Sequence, residues 1–249
     1  MAIRFAGALV AALCFASPAA FAAEPYKWSG WYAGLNAGGN WGQAEPSQLL
    51  SGAPLNVPRA LLLSNIASQS YNTSGFTGGV HAGYNWQLGN SLLVGAEVDF
   101  GYFNSAGSKT FLGPVGGGPI LLNQSVSTSW LSTVRPRVGF LLNNAHVYGT
   151  GGLALTNLRG AYSFLTPANE RDVAEFSDIK LGWTVGGGIE FAFAKNWNVG
   201  AEYLYVKFDS ISSNTRNVVV GLVAVPTVNT FNSVDLTANI ARLRLNTKF

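Results

Sequence analysis

After Cys14 the chain contains no cysteine, and its 249 residues include one methionine and two histidines. Without cysteine the remaining sequence has no disulfide, thiolate metal site or cysteine nucleophile to offer. His81 and His146 lie on separate segments, a poor basis for a metal site, and both read as hydrogen-bonded polar residues. Charge is scarce as well: Asp, Glu, Lys and Arg make up 11% of the chain, against roughly 25% in a soluble domain. Also missing, after the first residues, is any apolar run of the ~20 residues that a membrane helix needs. Lipid requires backbone polar groups to be satisfied internally, so an apolar chain without spanning helices points to the other solution, a closed sheet.

The amino-terminus indicates the compartment. Arg4 supplies a short positive region, Phe5 to Phe15 an apolar run too short to span a bilayer, and Ala20-Phe21-Ala22 a small-x-small cleavage site. We expect residues 1–22 to be a signal peptide and residues 23–249 to form the barrel. Leu13 precedes Cys14 where a lipidated cysteine requires a small residue, so no lipoprotein is expected. Setting Arg4 aside leaves 14 basic against 12 acidic residues, a formal charge of +2. That balance does not suit a nucleic-acid partner.

What the sequence has in quantity is alternation. From Ala241 to Phe249 one face carries Ala241, Leu243, Leu245, Thr247 and Phe249, and the other Arg242, Arg244, Asn246 and Lys248. Period two means a strand. Seven further stretches alternate in the same way, beginning with Trp31 to Ala37 and Phe76 to Trp86. Short turns follow the second, fourth and sixth strands: Leu88-Gly89-Asn90, Asn143-Asn144 and Lys195-Asn196. Ser-, Asn-, Gly- and Pro-rich segments at about 43–73, 104–126, 158–178 and 209–232 read as long loops. Short turns at one rim and long loops at the other describe an all-β, eight-stranded, antiparallel, up-and-down transmembrane β-barrel of the outer membrane.

Aromatics sort by depth. Trp31, Tyr84, Trp86, Phe140, Phe193, Trp197 and Phe249 fall at the turn rim, and Phe76, Phe100, Tyr102, Trp130, Trp183 and Tyr205 at the loop rim, as two girdles would. The opposite faces carry Glu97, Asp99, Glu190 and Glu202 against Arg135, Arg137, Arg242 and Arg244. Facing lipid, each arginine would cost roughly 2–4 kcal/mol, so all eight are expected inside. There they must pair. Glu97 and Asp99 are expected nearest Arg135 and Arg137, and Glu190 and Glu202 nearest Arg242 and Arg244. Inward glycines such as Gly34, Gly38, Gly83, Gly95, Gly186, Gly188 and Gly200 leave room for the long arginine side chains or else for a thread of water, and Pro136 should distort its strand locally.

No catalytic, cofactor-binding or metal-binding residues emerge. Gly186-Gly187-Gly188 opens no helix, and Gly107-Ser108-Lys109-Thr110 lacks the glycine before lysine that a phosphate loop requires. Ser129 or Ser177 could be proposed for a lipid-modifying enzyme, but no Ser/His/acid set comes together. The expected function is structural or surface-interactive, with a lumen filled by the charged network. Small-solute porin is the alternative, and enzyme a distant third. Expected partners are outer-membrane lipids and lipopolysaccharide, with surface ligands met by the loops; the loop cations Arg59, Lys109, Arg171 and Arg216 read as solvated residues by default, which a cell-surface protein could use against anionic lipopolysaccharide.

With the strands laid out, Trp28-Ser29-Gly30-Trp31-Tyr32-Ala33-Gly34, then Trp130, Thr133, Arg135, Arg137 and Gly139, then Gly186, Gly188, Glu190, Trp197, Glu202, Tyr203 and Tyr205 carry a resemblance. In order and spacing they resemble the small porin-like outer-membrane barrel family of alphaproteobacteria, which contains the Brucella 25 and 31 kDa surface antigens. The resemblance implies a role in envelope integrity and host contact. It also implies that Phe249, ending an alternating strand, is the signal read by the assembly machinery. Thr247 and Pro136 depart from the family, which usually has an aromatic and a small residue there.

Overall fold

The computed structural model describes residues 26–51, 64–114, 119–165, 171–215, 218–220, 223–225 and 229–249. Residues 1–25, and with them the expected signal peptide, lie outside that range, as do Arg59 and Arg216. The strands are β1 (Gly30–Ser51), β2 (Tyr71–Leu88), β3 (Leu92–Phe103), β4 (Ala106–Pro114), β5 (Pro119–Leu142), β6 (Ala145–Leu165), β7 (Arg171–Ala194), β8 (Trp197–Phe208), β9 (Ile211–Thr215), β10 (Val218–Val220), β11 (Val223–Val225) and β12 (Asn229–Lys248). Eight of them form a closed antiparallel ring in the order β1, β2, β3, β5, β6, β7, β8, β12. The ring is sealed by β12 on β1, in register from Tyr32 against Lys248 to Ser51 against Asn229. Closure removes the sheet edges, which lipid would not tolerate.

The three short turns fall where the pattern puts them, and both Gly89 and Asn143 adopt positive φ, 64° and 53°. Such angles suit glycine and asparagine and allow a two-residue reversal. The girdle aromatics stand on the outer wall: Trp31 is 64% exposed and Trp183 47%. On β1, Trp31 and Trp41 are ten residues apart and both face outward, which at about 3.3 Å per residue and a tilt near 40° spans roughly 25 Å, the height of an outer-membrane apolar band.

The expected loops require correction. Large parts of 43–73, 104–126, 158–178 and 209–232 are strand, because β1, β5, β6, β7 and β12 continue well past the band, and β4 and β9 resume after breaks at 104–105 and 209–210. The reason is an inversion of polarity along each strand. On β12 the buried side runs Val234, Leu236, Ala238, Ile240 and then Arg242, Arg244, Asn246, while the outer side runs Asp235, Thr237, Asn239 and then Ala241, Leu243, Leu245. Past the outer girdle the wall faces water, so its outer residues are polar and its inner ones apolar. Serine and asparagine on that wall imitate a loop composition.

The upper interior is accordingly an apolar core. Phe103, Leu131, Leu158, Leu204, Val206, Phe208, Leu236 and Ile240 pack together, fully shielded. On β5 the change of environment coincides with a register shift between Thr128 and Leu131. That bulge switches which residues face inward and turns Trp130 to the outer wall. Pro136 also faces outward, in register with Ala96 of β3. Its pairing with β6 is interrupted between Val134 and Arg137 without a change of register. Thr150 Oγ1 takes up the Pro136 carbonyl instead, at 2.8 Å.

Candidate functional site

Below the apolar core, within the membrane-spanning part, the interior holds the eight charged residues in one layer, each at most 5% exposed. Strand alternation aims them inward, and the stagger of the barrel brings them to a common height. Arg135 contacts Glu97 at 2.7 Å, Asp99 at 2.8 Å and Glu202 at 3.2 Å. Arg137 contacts Glu97 at 3.1 Å and Glu190 at 2.7 Å. Arg242 bridges Asp99 at 3.1 Å and Glu202 at 2.6 Å. Arg244 pairs closely with Glu97 and lies 2.6 Å from Glu202. Each guanidinium thus meets at least two carboxylates.

The expected division into two sets holds for Asp99, nearest Arg135, and for Glu202, nearest Arg242 and Arg244, but not for Glu97 and Glu190. Glu190 pairs most closely with Arg137 and lies 3.9 Å from Arg244, while Glu97 and Asp99 reach Arg244 and Arg242 as well as their neighbours on β5. Arginine is long enough to cross so narrow a lumen, so facing strands compete with adjacent ones. Four acids and four bases form one connected network of zero formal charge. Removing water from a lone charge costs several kcal/mol, and only dense pairing offsets that.

Two tyrosines complete the layer and were not singled out from sequence. Tyr32 donates to Glu97 at 2.7 Å and accepts from Arg137 at 3.0 Å. Tyr148 donates to Glu202 at 2.9 Å and accepts from Arg244 at 3.0 Å. The Arg137 guanidinium carbon lies 4.2 Å from the Tyr148 ring centre and 5.2 Å from that of Tyr32, where the ring faces attract a cation. A Cβ at Gly83 or Gly188 would collide with the hydroxyl of Tyr32 or Tyr148. The signal was available: both tyrosines occupy inward positions of the alternation, beside Trp31 and Val147.

Both histidines belong to the same interior. His81 Nε2 is 2.5 Å from Asn246 Oδ1, and His146 Nδ1 is 2.9 Å from Arg137. Beneath His146, at the turn-side end, lies the segment before β1: Trp28, 5% exposed, has its ring 5.4 Å from the His146 ring, and Tyr26 accepts from Asn198 at 2.8 Å. At the other end a helical turn at 64–67 covers the apolar core, where Gln124 donates to the Ala67 carbonyl at 2.8 Å. Phe249, 80% exposed, stands outside this interior, and its amide donates to Trp31 O at 3.2 Å across the closing seam.

A closed ring of eight antiparallel strands, apolar outside between aromatic girdles and charged within, is an outer-membrane β-barrel. The chain belongs to the outer membrane protein beta-barrel domain family, whose model matches residues 6–224. It is 32% identical over 244 residues to the 31 kDa outer-membrane immunogenic protein of Brucella melitensis, covering 94% of this chain and 88% of that one. Over 81 residues, 32% of this chain and 34% of the other, it is 32% identical to the 22 kDa outer membrane protein of Rhizobium leguminosarum. Among solved structures it is similar to OprG from Pseudomonas aeruginosa, with TM-score 0.44 and 12% identity over 90% of this chain and 99% of that one. It is also similar to the outer membrane protease OmpT from Escherichia coli, with TM-score 0.45 and 8% identity over 91% and 99%. The protein is thus an outer-membrane barrel related to alphaproteobacterial surface antigens.

Proposed function

We propose that this protein is a sealed structural barrel that contributes to envelope integrity and presents its extracellular part to the surroundings, with neither a conducting pore nor a catalytic centre. The observation that carries this reading is the filling of the interior along its axis: Trp28, the paired charged layer, the apolar core and the turn at 64–67 follow one another. A solute would have to break several ion pairs and then displace packed Leu and Phe side chains. In planar bilayers the purified protein is expected to give no step conductance above background, and stable openings would favour the porin reading instead.

Against the lipid-modifying reading stand the positions of the histidines. His81 and His146 lie in the charged layer, far below Ser129 and Ser177 at the outer part of the wall. Incubation with lipid A is expected to leave its acyl chains intact. The reading includes removal of residues 1–22 on export and recognition of Phe249 by the barrel-assembly machinery. Deleting Phe249 is expected to lower the heat-modifiable, folded fraction in the membrane, and unchanged levels would remove that role. Outer-membrane lipids and lipopolysaccharide are its expected surroundings, and host or surface ligands would meet it at the extracellular end.

A further inference from the structure

Among the arginines whose side chains are described, Arg135, Arg137, Arg242 and Arg244 are all held by carboxylates. Arg159 differs: it stands exposed on the outer wall of β6, and among the described residues nothing pairs with it. Its cross-strand neighbours are Ser127 of β5 and Ser177 of β7, and side chains so paired on one face lie about 5 Å apart at Cβ. One row farther from the membrane come Ser125, Ala161 and Glu175. The small Ala161 in the middle of that row leaves a hollow, and the cleft, of about 300 Å³, is lined by these residues with Gly160 and Phe176. Glu175 at its far corner forms no ion pair with Arg159.

Height identifies the ligand. Directly below the row of Ser127, Arg159 and Ser177 stands the polar Asn157, between Trp130 and Ile179, and beneath it the outer wall is apolar, with Leu155, Leu181 and Trp183. Two strand residues raise Arg159 about 5 Å above the row of Ile179. The headgroup zone of a bilayer leaflet is itself about 5–7 Å deep. Lipid phosphates lie at that height, and three hydroxyls around one unpaired guanidinium can donate to phosphate oxygens.

We propose that the cleft formed by Ser125, Ser127, Arg159 and Ser177 binds a phosphomonoester of an outer-leaflet glycolipid. This rests on the reading of the protein as a barrel seated among such lipids, and on nothing about its lumen. Purified full-length protein, folded in detergent, is titrated with lipopolysaccharide carrying phosphorylated lipid A, with the same material after phosphatase treatment, and with inorganic phosphate. Removing either the lipid phosphates or the arginine, as Arg159→Ala, is expected to weaken binding about fivefold, the worth of one basic residue at an anionic lipid surface. Arg159→Lys should keep most of the affinity, and Glu175→Gln should equal or exceed the native chain. Equal binding by Arg159→Ala, or weaker binding by Glu175→Gln, would overturn the assignment. So would displacement of the lipid by low-millimolar inorganic phosphate, which would mark a free-ion site. Heat-modifiability of every variant is checked alongside, since an exposed residue should leave folding intact, and Ser127→Ala provides a second lesion in the same cleft. Conductance measured on the same preparations tests the sealed lumen separately, so either idea can fail alone.

Discussion

The membrane half and the extracellular half of this barrel are built from the same strands with opposite polarity. In the lower half lipid surrounds the wall, so Leu243 and Val98 face out and Arg244 and Glu97 face in. In the upper half water surrounds it, so Thr237 and Asn239 face out and Leu236 and Ile240 face in. Alternation is common to both, and only the solvent changes. The two interiors therefore cohere by different forces: dense ion pairing below, where a lost partner strands a charge, and apolar packing above, where a lost methyl group leaves a void.

Mutations should separate the halves. Glu97→Leu takes one carboxylate from each of Arg135, Arg137 and Arg244 and leaves the layer of four bases with three acids, one positive charge uncompensated; it is expected to cost about 3–5 kcal/mol, read as a lower urea midpoint for unfolding from lipid vesicles. Leu236→Ala in the upper core is expected to cost about 2–5 kcal/mol. Protease protection of the extracellular wall should fall first in that variant, with the charged layer intact. On the outer wall the contrast sharpens: Val98→Arg within the apolar band is expected to cost about 2–4 kcal/mol. Thr237→Arg, one solvent away, should stay within about 0.5 kcal/mol. If the two arginines destabilised equally, the boundary between lipid and water would be misplaced.

Much of this was legible along the chain. Alternation assigned Leu243 outward and Arg242 inward, and the turns at Gly89 and Asn143 announced their hairpins. The upper strands were not legible, because Asn123, Ser125 and Ser127 on a wet wall have the composition of a loop, while the apolar partners Leu122 and Val126 look like chance. Tyr32 and Tyr148 escaped notice because tyrosine serves equally in a girdle and in a polar interior. The expected pairing of Glu190 failed for another reason: β7 stands two places from both β5 and β12 in the ring, so strand order could not choose between Arg137 and Arg244.

The amino-acid order alone determined which face of each strand meets lipid, the number of charges that must hide, and their neutrality, since all three follow from period two and the cost of a charge in hydrocarbon. Which acid meets which arginine, where lipid gives way to water along each strand, and which residues lie at the two ends of the interior depended on closure of the ring. The stagger of eight tilted strands sets distances across the lumen, and no local pattern in a single strand contains that information.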